Sequence, residues 1–95
     1  MPTPPSDSEV RETVRQTLDS LPPEFAERLR NVAIVVEERH PRGLMGIYDP
    51  RGGLQRIVIF REANPTLDEV RRTVLHEIGH HFGLDERQLG KLGYG

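Results

Sequence analysis

The stretch of residues 66–83 has the pattern of one long amphipathic helix, and the rest of the fold has to supply a core for it. Thr66 as N-cap and Glu69 three residues later predict a capping box at its start, and Gly83 is placed to end it with a positive φ. At about 100° per residue, the apolar side chains share one broad arc. They are Leu67, Val70, Val74, Leu75, Ile78 and Phe82. One face of the helix is therefore predicted to pack on a core, and the opposite face points outward.

The other predicted elements are short. Apolar residues recur at helical spacing up to position 21, which predicts a first helix. Ser6, Asp7 and Ser8 are candidate N-caps at its start, and the prolines at 22 and 23 end it. A second helix is predicted over residues 24–29, and strands over residues 32–36, 44–48 and 55–60. Residues 32–36 are apolar on both faces, which favours a central strand. Residues 44–48 are less apolar than the third strand, which favours an edge.

These elements predict the α+β class, with a small mixed sheet of three to four strands. The sheet is packed against an N-terminal helix and the helix of residues 66–83. A chain of 95 residues, 35% of them hydrophobic, has room for one domain with a modest core. Because residues 1–7 are rich in proline and lack apolar partners, they are expected to be a disordered lead-in to a domain of residues 8–95.

Composition excludes several classes of function. The formal net charge of −2 mixes both signs along the chain, which argues against nucleic acid and anionic membranes as partners. No apolar run approaches the roughly 20 residues that span a bilayer, and the first residues lack the order of a secretory signal, so a cytoplasmic location is expected. Cysteine is absent, so a transition metal would have to be held by imidazole and carboxylate groups.

The outward face of the long helix carries the segment His76-Glu77-Ile78-Gly79-His80. Two histidines four positions apart lie one above the other on a helix, so both imidazoles can reach one Zn²⁺ ion. Glu77 is rotated off this line, which suits a general base that takes a proton from a zinc-activated water. A chance H-E-x-x-H segment in a chain of this composition has a probability of about 2%. The pattern therefore predicts a catalytic zinc site.

A catalytic zinc ion usually has three protein ligands, so one more is needed. In the extended zincin pattern the third ligand follows the glycine by three positions, and Glu86 stands three positions after Gly83. Asp85 is the competing acid. His81 points about 100° away from His80, toward the apolar side, which favours a core or supporting role over direct metal binding. Tyr48 is favoured as a packing residue over an oxyanion donor.

Beyond this motif, the sequence resembles the small bacterial, single-domain zincin-like metallopeptidases, which carry H-E-x-x-H-H-F-G-L followed by acids. Blocks similar to that family occur in family order at residues 21–25, 31–37, 44–48, 56–60 and 70–84. The resemblance implies a minimal zincin-like fold, with His76 and His80 as zinc ligands and Glu77 as the base. Two features depart from the family: Glu86 stands where Asp is more common, and the loop after Tyr48 is shorter.

The resulting hypothesis is a zinc-dependent hydrolase, a metallopeptidase that acts on a peptide or protein substrate. The strand at residues 44–48 is the candidate for pairing with extended substrate. A second hypothesis is a catalytically weak or inactive zinc-containing module that binds peptides, because a small domain offers few contacts for positioning a substrate. A third is a purely structural zinc ion, which would need four protein ligands. The adjacent Glu77 argues against that third reading.

Overall fold

The computed structural model describes residues 3–83, Arg87 and Gly90. Within residues 3–83, three α-helices and three strands follow each other in the order α1, α2, β1, β2, β3 and α3. Their bounds are α1 Asp7–Asp19, α2 Pro23–Arg28, β1 Ala33–Glu37, β2 Gly46–Asp49, β3 Arg56–Phe60 and α3 Leu67–His81. The predicted α+β class is confirmed. Within the part of the chain described, no helix combines the length and apolar character needed to cross a membrane.

The three strands form one mixed sheet in the order β1, β3, β2. β1 runs parallel to β3, and β2 runs antiparallel to it. The predicted edge position of the second strand is confirmed within this sheet. The central position predicted for residues 32–36 was wrong, because β3 is the central strand and four of its five residues are buried.

β1 lies at an edge although its sequence is apolar on both faces, because α1 covers its outer side. The Arg11 guanidinium donates to the carbonyl of Ile34 at 2.8 Å, and Arg15 donates to the carbonyl of Val32 at 3.5 Å. Side-chain donors thus satisfy carbonyls that a neighbouring strand would otherwise have to pair. β1 is consequently protected on one side by a helix, whereas β2 forms the opposite edge of the sheet.

Local capping explains where the helices begin. Ser6 caps α1 in a full capping box with Glu9, so the first of the three candidate caps is the one used. At α3 the Thr66 hydroxyl accepts from the Glu69 backbone amide at 3.2 Å, which is one half of the predicted box. The segment predicted as a disordered lead-in also makes contacts with the rest of the chain. Pro5 is buried, and its carbonyl accepts two hydrogen bonds from the Arg61 guanidinium.

A buried amide fixes α3 onto the sheet. Asn64 is fully buried and donates to the carbonyls of Met45 and Phe60, and its own side-chain carbonyl accepts from the Thr73 hydroxyl at 2.6 Å. These bonds join the start of β2 and the end of β3 to the middle of α3. A fully satisfied buried polar group of this kind specifies one arrangement of its neighbours. It therefore sets how the outward face of α3 lies relative to the β2 edge.

The contact between β2 and α3 requires glycine at position 46. An added Cβ would lie 2.7 Å from Thr73 Cγ2 and 3.1 Å from the Val58 carbonyl oxygen. Gly46→Ala is expected to lower the free energy of unfolding by about 1–3 kcal/mol, measured by urea denaturation. Adding Thr73→Ser removes the clashing methyl group and keeps the hydroxyl bond to Asn64, so it should recover part of the loss. A Gly46→Ala variant as stable as wild type would refute this close packing.

A buried carboxylate holds the turn between β2 and β3. Asp49 accepts from Arg51 and Arg56 in ion pairs of 3.0 Å each, and the Arg51 bonds, followed by those of Arg56, hold the pKa of its carboxyl well below its usual range. A depressed folded-state pKa stabilises the fold above the ordinary value of about 4, and that contribution is lost as the pH falls toward the lowered pKa. Asp49→Asn should therefore reduce stability near pH 7 and flatten its decline between about pH 4 and 2. Acid unfolding curves that coincide for the two proteins would contradict this role.

Candidate metal centre

The outward face of α3 carries the two histidines of the motif. His76 and His80 are both exposed, as the helical periodicity predicted, and their ring centres lie 6.2 Å apart with the ring planes 34° to each other. They are neither buried among aliphatic side chains nor splayed to opposite sides of the helix. The two imidazole rings therefore face the same region of solvent.

These two rings fit a shared zinc ion. Zinc binds imidazole nitrogen at about 2.0–2.1 Å, so two rings that share one ion have centres roughly 5 to 6 Å apart. The observed 6.2 Å is slightly longer than that range, and both side chains are exposed, so small rotations suffice to bring the rings to one ion. Imidazole is also a common nitrogen ligand for zinc in catalytic sites. The donor chemistry and the spacing are therefore those that a zinc ion requires.

Glu77 lies between the two histidines along the helix and is turned toward the sheet. It is half-buried, and burial raises the pKa of its carboxyl. Three smaller effects lower the same pKa, namely the charge of His80, a hydrogen bond from the Tyr48 backbone amide and the charge of His76. The net effect is a raised pKa for Glu77. The carboxyl is thus held at the border between core and solvent, where it can both take up and release a proton.

The bond from Tyr48 follows from the register of β2. The Phe60 amide donates to the Met45 carbonyl, and Tyr48 is opposite Ile57. Hydrogen-bonded and non-bonded pairs alternate along an antiparallel ladder, so the backbone groups of Tyr48 face away from β3. The edge of the sheet therefore runs directly beside Glu77.

The third predicted ligand lies outside the described residues, as does the competing Asp85. Among residues 3–83, Arg87 and Gly90, no group of three His, Asp or Glu side chains is arranged to hold a metal ion. The turn that precedes the acids is present, because Gly83 has a φ of 71° and follows the last turn of α3. The assignment of Glu86 stays a prediction.

His81 and Tyr48 pack on each other next to the two histidines of the motif. Their rings stack with centres 4.1 Å apart, and the buried Tyr48 hydroxyl has no hydrogen-bond partner within the described part of the chain. Burial also raises the pKa of this phenol. Tyr48 thus has the packing role that the sequence favoured. His81 is exposed and not part of the core, although its ring packs on Tyr48.

The same end of α3 carries a contact that the sequence did not reveal. The Arg28 guanidinium lies 5.5 Å from the centre of the Phe82 ring, and Phe82 in turn packs on Phe25 with ring centres 5.0 Å apart. Arg28 belongs to α2, so this contact depends on how two separate helices meet. In the sequence it is one exposed arginine among several, and no local pattern distinguishes it.

Comparison with known proteins gives an independent result. The family model described as zincin-like metallopeptidase matches residues 47–94, about half of the 95-residue chain, and this span contains β3, α3 and the H-E-x-x-H segment. No curated protein matches the chain. The three-stranded mixed sheet with α3 packed on it agrees with a minimal zincin-like fold. The family implies zinc binding and hydrolysis of peptides in general terms, and the chain belongs to the zincin-like metallopeptidases.

Proposed function

We propose that this protein is a zinc-dependent peptidase in which His76, His80 and Glu86 bind Zn²⁺ and Glu77 is the general base. The observation that carries the proposal is the pair of exposed imidazoles 6.2 Å apart on one face of α3, with a half-buried carboxyl between them. Two ligands and a base at this spacing are the parts that metal-assisted hydrolysis of an amide requires. Glu86, or Asp85 in its place, would complete the ligand set.

The protein's own groups have defined tasks in this reaction. A bound zinc ion supplies polarisation of the scissile carbonyl and makes a water molecule acidic enough to ionise near neutral pH. Glu77 takes the proton from the attacking water and then passes it to the leaving amide nitrogen. Burial raises the pKa of Glu77, which makes its carboxylate a stronger base for the first transfer than a fully solvated carboxylate. The Tyr48 amide beside it favours the charged carboxylate and partly offsets the effect of burial.

The β2 edge is the surface along which an extended substrate would bind. It lies on the opposite side of the sheet from β1, whose outer carbonyls are occupied by the α1 arginines. A peptide that adds to a sheet edge gains backbone hydrogen bonds regardless of its sequence. Because Tyr48 adjoins Glu77, such a peptide would pass directly in front of the proposed base.

A second function is favoured by the openness of the site. Both imidazoles are exposed, and a shallow surface offers little of the positioning energy on which catalysis depends. The protein would then be a zinc-containing module that binds peptides along β2 and cleaves them weakly or not at all. Zinc binding and peptide binding are common to both functions, so only turnover separates them.

A peptide-library assay on the full chain tests the proposal. The chain is loaded with one equivalent of zinc and incubated with a fluorogenic peptide library, with and without a chelator. Peptidase function predicts cleavage that the chelator stops and that added zinc restores. Stoichiometric zinc and peptide binding without cleavage would establish the binding module instead. Cleavage that is indifferent to the chelator would contradict a metal-dependent reaction.

A further inference from the structure

A second concave site lies beyond the end of α3, between α2 and the start of β3. Its volume is about 430 Å³, and its described lining consists of Arg28, Gln55, His81 and Phe82. This volume is within the range of small-ligand sites, about 300–1,000 Å³. We call it the Arg28 pocket. None of the four lining residues takes part in the proposed reaction.

The guanidinium of Arg28 contacts an aromatic ring, and this contact leaves its N–H donors available. It lies over the Phe82 ring at 5.5 Å, and that ring is backed by Phe25. Stacking on an aromatic face fixes the plane of a guanidinium without using its N–H donors. Within the described part of the chain, Arg28 makes no ion pair, whereas neighbouring Arg30 is bound to Glu27 at 2.7 Å. A planar cation with free donors is the group that best recognises a carboxylate.

The other lining groups are compatible with an anion. Gln55 contributes an amide that can donate, His81 contributes an imidazole, and no carboxylate is among the described lining residues. The acid nearest in sequence, Glu27, has its own partner in Arg30. The pocket therefore combines one cation with further donor groups, and no described acid competes for the cation.

The pocket is joined to the proposed active site through Tyr48. The Tyr48 ring stacks on His81, which lines the pocket, at 4.1 Å between ring centres. The register of β2 turns the backbone amide of the same residue to the outer edge of the sheet, beside Glu77. A peptide that follows the outer edge of β2 past Glu77 therefore has the Arg28 pocket next to its path. A group bound in the pocket would set which bond of the peptide lies at the base.

We propose that the Arg28 pocket binds a carboxylate of the substrate and so determines where a peptide is positioned for cleavage. The carboxylate is either an acidic side chain or the free C-terminus of the peptide. This inference rests on the proposed function for its role in positioning. The binding of the carboxylate itself requires neither zinc nor turnover, so the two can fail separately.

Binding of matched peptides to the full chain tests the pocket. The probes are acetyl-tetraalanine as free acid and as C-terminal amide, and two amidated alanine peptides that carry one Glu or one Gln. Each is titrated by NMR against the chain with one equivalent of zinc and again with a chelator. At least one acidic probe should bind about 5- to 10-fold more tightly than its neutral counterpart, because exposed charge pairs lie at the low end of such energies. The probe that shows the preference identifies the source of the carboxylate.

Two variants of equal charge change provide the control. Arg28→Gln should abolish the preference for the acidic probe, and Arg30→Gln should keep it. Shifts of the Arg28 Nε–H and Gln55 amide resonances in wild type locate the bound probe independently of any variant. The proposal is overturned if acidic and neutral probes bind equally, if both variants lose the preference alike, or if the preference needs zinc and survives Arg28→Gln. In the last case the carboxylate would be bound at the metal.

Discussion

Glu77→Gln is expected to lower peptide turnover by about 100- to 10,000-fold while leaving one zinc ion bound. The amide has nearly the same shape as the carboxyl but can neither take a proton from water nor return it to the leaving nitrogen. His76 and His80 are untouched by this change, so metal binding should persist. The loss should therefore appear in turnover and not in zinc content, which is measured by elemental analysis of the same preparation.

Glu69→Gln is the matched control for this prediction. It makes the same chemical change on the same helix, about two turns before Glu77, where the backbone amide of Glu69 donates to the hydroxyl of the N-cap residue Thr66. The backbone contact survives the substitution, so turnover should remain close to wild type. A Glu77→Gln protein that keeps more than about a tenth of wild-type turnover would rule out a general base at this position.

His80→Ala should weaken zinc binding by at least about 100-fold and abolish turnover, because it removes a metal ligand. His81→Ala provides a control at the next position along the same helix. His81 stacks on Tyr48 and Phe82 and faces away from the His76 ring, so its removal should leave zinc affinity within a few-fold of wild type. Zinc affinity is measured by competition with a chromophoric chelator. Equal losses in the two variants would show that the site is not the one proposed.

The same competition assay assigns the third ligand. Glu86→Gln and Asp85→Asn each remove one negative charge from adjacent positions, so their effects on net charge are identical. The proposal expects a large loss of zinc affinity for Glu86→Gln and a small one for Asp85→Asn. The opposite order would transfer the ligand role to Asp85, and the remainder of the site would be unchanged.

The parts of the structure that depend on local pattern could be predicted from the sequence. α3 was predicted because its apolar side chains recur with helical period and Thr66 and Gly83 mark its ends. The exposure of His76 and His80 followed from the same periodicity. The edge position of β2 followed from its lower apolar content compared with β3. In each case the deciding interactions lie within one element or between chain neighbours.

The parts that depend on distant contacts could not be predicted. β1 was expected to be central because both its faces are apolar, and nothing in its own sequence shows that Arg11 and Arg15 cover its edge. The order at Pro5 likewise depends on Arg61, far away along the chain. Such contacts form only when separate elements pack together. Secondary-structure propensity and hydrophobic periodicity describe single elements, so they cannot predict these contacts.

The candidate site divides in the same way. The two proposed ligands and the proposed base lie within about one turn of α3, so helical geometry alone places them together. The Tyr48 amide reaches Glu77 only because β2 is packed beside α3, which depends on Asn64 and on glycine at position 46. The Arg28 pocket needs three elements to meet and had no signal in the sequence. The groups proposed to carry the chemistry could therefore be predicted from one helix. The contacts that surround them come from other elements and could not.

A zinc titration followed through the imidazole resonances of the four histidines tests the central claim most directly. If one ion is shared by His76 and His80, the resonances of both should shift together and reach their end points at one equivalent of zinc, while those of His40 and His81 move little. Resonances of His76 and His80 that respond at different zinc concentrations, or a pairing of either one with His81, would contradict the proposed metal centre.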